Sequence, residues 1–118
     1  MIPSAAQIAA AYRFVARRYG VDAEPDALAL EKAVKEAVAL VRRQRDEPAA
    51  LFFALARRQR ALPGLWTPVV GLLVSNHVRT IGLELNGDAR DLLPLYVPIA
   101  RGAMRFEEVL GWFEARLR

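Results

Sequence analysis

Apolar residues recur along most of this chain at intervals of three and four, the period of an α-helix. No strand-like alternation lasts beyond a few residues. Ser4, with Gln7 three positions later, has the form of a capping box. Ile8, Tyr12, Val15 and Tyr19 then share one helical face, and Gly20 predicts the C-terminal cap. A second helix is expected from Glu24-Pro25-Asp26, since a first-turn proline and carboxylates suit a helix start. Leu30, Val34, Ala37 and Val41 are its buried stripe, with Arg42, Arg43 and Arg45 at its C-terminal end. Asp46-Glu47-Pro48 opens a third helix for the same reasons. Its apolar face is Leu51, Phe52 and Leu55, and it closes in Arg57, Arg58 and Arg60 before the Pro63-Gly64 turn.

Thr67 predicts an N-cap and Pro68 a first helical position for the fourth helix. Val69, Val70, Leu72, Leu73, Val74, Val78, Ile81, Leu83 and Leu85 point all round its axis. That pattern predicts a buried central helix ending at Asn86-Gly87. In DARDLLPLYVPIARGAM, Pro94 and Pro98 are spaced to bend or divide a helix. A last helix starts near Phe106, with Phe106, Leu110, Phe113 and Leu117 on one face. The expectation is an all-α fold: one domain over residues 1–118, a compact bundle of five to six helices around the fourth.

Composition permits a real core, with 54% hydrophobic residues among 118. The absence of cysteine excludes disulfides, thiolate zinc sites and cysteine nucleophiles. The opening MIPSAAQIAAAYRF lacks the basic start and long apolar run of a signal peptide. The longest apolar stretch, Val69 to Val74, is too short to span a bilayer. A cytoplasmic protein with no membrane partner is therefore expected.

Net charge is +4, and of 17 basic residues only Lys32 and Lys35 are lysine, leaving 15 arginines. One reading is a phosphate-bearing or acidic partner. The other is a GC-rich genome, whose codons favour the Arg, Ala, Leu and Val abundant here. Arg42, Arg43, Arg45 and Arg57, Arg58, Arg60 are the candidate binding residues, for a protein partner or a nucleic acid. Cations at helix C-termini are also stabilising without any ligand. Consecutive antiparallel helices would set the two clusters at opposite ends. Trp66, in the loop LPGLWTP, is either an aromatic presented to a partner or a plug closing the core.

Candidate chemistry is sparse. His77 is the only histidine, and as a general base it would need a partner to set its tautomer and a substrate within reach. Asn76 lies too near in sequence to serve, pointing about 100° away on a helix. His77 is thus expected as a satisfied core or rim residue. Glu107 and Glu108 splay, Asp88 suits an N-cap, and the carboxylates generally read as caps and solvated faces. No glycine cluster of phosphate-cradling form occurs; Gly71, Gly82 and Gly111 suggest close helix approach. No catalytic residue, metal ligand or cofactor is assigned.

Taken together, the segments resemble the Fic/Doc (Fido) family, and more its short Doc, death-on-curing, branch. IPSAAQIAAAYRFVARRYG is similar to that branch's first helix, and ALFFALARRQRALPGLW to the helix leading into the active-site loop. VRTIGLELNG is similar to the end of its central helix, with its Leu-x-x-Asn-Gly close, and GAMRFEEVLGWFEARL to its last helix. Active members carry His-x-Phe-x-Asp/Glu-Gly/Ala-Asn-Lys/Gly-Arg between those helices. Counted back without gaps from Asn86-Gly87, those positions hold Leu65 for the histidine and Thr67 for the phenylalanine. Val69 stands at the acid, Gly71 at the asparagine and Leu73 at the arginine. The resemblance thus implies a degenerate member without the family's nucleotide-dependent transferase chemistry. It would act by binding a protein, such as a small antitoxin-like peptide in a toxin–antitoxin pair. An arginine-rich nucleic-acid-binding module, and a divergent transferase using His77, are the alternatives.

Overall fold

The computed structural model describes residues 1–118, the side chain of Ala89 excepted. It is all-helical: α1 (Ala5–Tyr19), α2 (Ala27–Leu40), α3 (Glu47–Ala56), α4 (Trp66–Thr80), α5 (Leu93–Ala100) and α6 (Phe106–Glu114). Short 3-10 turns at Gln44–Asp46, Gln59–Ala61 and Ala89–Leu92 lead into α3, come after it, and lead into α5.

The first helix forms as its sequence dictates. Ser4 Oγ accepts from the Gln7 N–H while Gln7 Oε1 accepts from the Ser4 N–H. Gly20 closes the helix at φ 65°, a left-handed conformation glycine adopts without a Cβ penalty. Ile8, Tyr12 and Val15 are buried, but Tyr19 is exposed. In α2, Asp26 is the N-cap, accepting from the Ala29 N–H, so Pro25 precedes the helix instead of entering its first turn. The helix ends at Leu40, before Arg42, Arg43 and Arg45.

The centre of the bundle is α3, not α4. Every residue from Glu47 to Ala56 is buried, and α2, α4, α5 and α6 all pack on it. Four alanines, at 49, 50, 54 and 56, keep this helix thin enough for neighbours to close on every side. Phe52 anchors the core, its ring 5.9 Å from Trp66 and 6.1 Å from Phe113. Phe53 meets Phe106 edge-on at 5.6 Å.

The fourth helix departs from expectation at both ends. It begins at Trp66, with Leu65 in the cap position and no side-chain cap, while Thr67 is exposed. It stops at Thr80, because Gly82 turns left-handed at φ 78° and Leu83 leaves the helix. Gly82 is thus a terminator and not a close-packing residue; nothing lies within 4 Å of a Cβ added there or at Gly111. Beyond Gly82, Leu85 bridges antiparallel to Leu117. Glu84 and Arg118 exchange both backbone hydrogen bonds at 2.9 Å. Downstream, Asp88 caps the turn before α5, and α5 accommodates Pro98 within its eight residues. No helix among the described residues is long and apolar enough to cross a membrane.

Candidate functional site

The only histidine is not alone. His77, on the last turn of α4, lies 2.9 Å through Nε2 from Glu47 Oε1, on the first residue of α3. Both residues are buried. An ionised carboxylate only accepts hydrogen bonds, so Nε2 carries the proton and donates. The Met1 ammonium also donates to the same Glu47 oxygen at 2.9 Å. Burial by itself would raise the Glu47 carboxyl, but the hydrogen bonds and charge of the Met1 ammonium and His77 outweigh it. They hold the carboxyl below the usual glutamate range. The expectation that the carboxylates are caps and solvated faces therefore fails at Glu47. At Asp46 the carboxylate does cap, accepting from the Arg43 N–H at 3.0 Å in a capping box, but it is buried and also accepts from the Arg43 guanidinium at 3.2 Å. Neither His77 nor Glu47 lines any of the five principal cavities, and the pair ties α3 to α4. No group of three or more His, Asp or Glu among the described residues is placed to hold a metal ion.

The two arginine clusters stay apart. Arg43 and Arg45 border a small cavity with Ile81 and Leu83, and Arg43 pairs with Asp46 and Glu114; Arg42 is exposed nearby. Arg57, Arg58 and Arg60 line a different cavity with Asp26, Leu28 and Lys32. The first cluster lies just past the end of α2, while the second reaches α2 between Asp26 and Glu36, and the two border different cavities. Trp66 is buried, and its indole N–H donates to the Leu55 carbonyl at 2.9 Å. Tyr96 lies over it with ring centroids 4.0 Å apart. It closes the core, and its remaining edge borders a cavity.

That cavity belongs to a longer feature that the pattern of residues did not announce. Pro68, Gly71, Leu72 and Ser75 are only half-buried, and Arg79 is exposed. At spacings of three, four, seven and eleven from Pro68 they form one open stripe along α4. A cavity of about 370 Å³ lies on this stripe, lined by Trp66, Pro68, Gly71, Leu72, Leu92 and Leu93 among others. A second, of about 420 Å³, shares Pro68 and Leu72 and is walled by Phe14, Arg18 and Tyr19 of α1. A third, of about 300 Å³, shares Ser75 and reaches Arg79 and Glu84. The three depressions make one trough over α4, about 16 Å from Pro68 to Arg79 at the helical rise. Phe14, Tyr19 and Leu93 are exposed large apolar side chains on its walls. Arg18 and Arg79 stand at its two ends, with no carboxylate in ion-pair distance among the described residues.

The positions aligned with the Fic/Doc motif fall along the same helix. Leu65, Val69 and Leu73 are buried, Thr67 is exposed, and Gly71 lies in the trough. No protein-family model matches this chain, and no curated protein is significantly similar to it. Phe14, Pro68, Leu72 and Ser75 were not among the sequence candidates. The signal in the sequence was the small or polar series Gly71, Ser75, Arg79, spaced four apart along α4. Lys32 was missed because it lies outside both arginine runs.

Proposed function

We propose that this chain is a protein-docking module whose trough over α4 receives an amphipathic helix from an acidic partner. The observation that carries the reading is the open apolar stripe of α4, walled by α1 on one side and the α5 approach on the other. Helix-in-groove recognition needs apolar anchors at i, i+3/i+4 and i+7, and the stripe at Pro68, Leu72 and Ser75 offers a floor at that spacing. A trough of about 16 Å suits three helical turns. Arg18 and Arg79 at its ends favour carboxylates on the occupant's flanks.

The resemblance to the Doc branch gives the kind of partner: a short antitoxin-like segment that folds on binding. In that reading the chain is a catalytically silent relative. Where the family's motif presents its histidine, acid and arginine, Leu65, Val69 and Leu73 offer no ionisable group. Valine and leucine neither accept a proton nor hold a divalent ion. The buried His77–Glu47 pair favours silence over a divergent transferase, because it serves the core and borders no principal cavity.

Co-expression with the product of any short, acidic reading frame found beside the gene tests the docking reading. The expected outcome is co-purification with the wild-type chain and loss of at least about ten-fold in affinity for Leu72→Glu, which places a charge on the floor of the trough. Equal retention by both chains would show that the partner binds elsewhere, and no association at low salt would remove this partner class.

A further inference from the structure

The second cavity of the molecule has the opposite character. It lies between the first turns of α2 and the segment after α3, occupies about 360 Å³, and is lined by four cations, Lys32 from α2 and Arg57, Arg58 and Arg60 from the segment facing it. Two features organise it. Arg57 Nε lies 3.2 Å from Glu36 Oε1, and Arg58 donates to the other oxygen of the same carboxylate. One carboxylate therefore fixes two guanidiniums but neutralises only one, and each retains unused donors of its five. Asp26, also on the lining, spends Oδ1 as the N-cap of α2. Lys32 and Arg60 have no carboxylate within ion-pair distance among the described residues. Four cations thus face two carboxylates, Asp26 and Glu36, which leaves two positive charges unmatched in one concavity. Leu28 and Ala29, one turn before Lys32 on α2, add an apolar patch to the lining.

We propose that this pocket binds the phosphate monoester of a small organic molecule. A phosphomonoester carries close to two negative charges at neutral pH and presents three acceptor oxygens, which matches the unmatched charge. Fixed guanidinium forks are suited to such a group because their geometry is set before binding. The apolar patch at Leu28 and Ala29 faces the organic part. A single nucleic-acid strand is disfavoured as the occupant. The other arginine cluster, which would extend a phosphate track, borders a separate cavity with Ile81 and Leu83, and none of the exposed large aromatics, Phe14 and Tyr19, borders this pocket. The site is separate from the α4 trough, so the two proposals stand or fall independently.

Titration calorimetry at moderate salt with inorganic phosphate, AMP, adenosine and an unphosphorylated twelve-nucleotide single strand tests the assignment. Phosphate and AMP are expected to bind saturably and adenosine not at all. Combined Lys32→Ala and Arg60→Ala substitutions should weaken AMP binding by at least about ten-fold. Leu72→Glu should leave AMP binding unchanged. Both substituted cations are exposed and outside the ion pairs described, and each single variant, expected at roughly three-fold, gives a second reading if the double variant misfolds. Absence of saturable binding by phosphate and AMP, or affinity unchanged in the variants, would overturn the proposal. So would binding of the oligonucleotide alone, which would assign the cations to a strand.

Discussion

Two helices, each carrying a run of apolar residues, meet opposite fates in this molecule. In α3 every residue is buried, whereas α4 keeps a stripe from Pro68 to Arg79 open to its surroundings. The difference lies in the side chains each helix presents and in the path the chain takes beyond it. The alanines of α3 let four helices approach at once. The valines of α4 are buried on its other faces while its open stripe carries Gly71, Ser75 and Arg79, and the chain then leaves the helix at Gly82 and runs to the Leu85–Leu117 bridge instead of folding back over the stripe. Hydrophobicity thus marks a surface that needs covering, without saying that the same chain covers it.

The sharpest test of this contrast is Phe52→Ala. Phe52 is fully buried between Trp66 and Phe113, and removing an aromatic there should cost about 3–5 kcal/mol, measured by urea unfolding. A loss under about 1 kcal/mol would deny α3 its central role.

Glu47→Ala comes next. It leaves His77 buried without its partner, at about 1–3 kcal/mol. The effect has a pH signature. The Glu47 carboxyl is held below its usual range in the fold, so the unfolded chain binds its proton more readily. Its contribution is fully present above the unfolded value of about 4.3 and fades as pH falls through the lower folded value. Wild type should therefore lose its advantage over Glu47→Ala in acid. A stability gap between the two that stays constant from pH 7 to 3 would show that the carboxylate charge contributes nothing.

Leu72→Glu should cost least, under about 1 kcal/mol, because the side chain already meets solvent. Combined with loss of partner binding, that small cost would separate a docking surface from a structural one. A loss comparable to that at Phe52 would show that Leu72 belongs to the core.

Much of the helical architecture was legible in the residues. The capping box at Ser4 and Gln7, the cap at Gly20 and the proline near the start of α3 are local signals, and local hydrogen bonds obey them. The end of α4 was not legible, because Asn86-Gly87 is as good a stop signal as Gly82 and only the pairing of residues 84–86 with 116–118 decides between them. The burial of Glu47 was hidden for a related reason. An acid before a proline reads as a solvated helix start, and its partner His77 is 30 residues away. The arginine runs were visible, but neither Glu36 nor Lys32, which turn one run into a pocket, announced itself.

Trp66 has a consequence for observing this molecule. Of the two tryptophans, Trp112 sits outside the trough with the Arg116 guanidinium 4.0 Å above its ring, while Trp66 contributes an edge to the apolar cavity. An occupant that displaces water from that edge changes the emission of one indole and leaves the other as an internal reference. The chain carries its own optical reporter, and Trp112→Phe would isolate the signal without any attached dye.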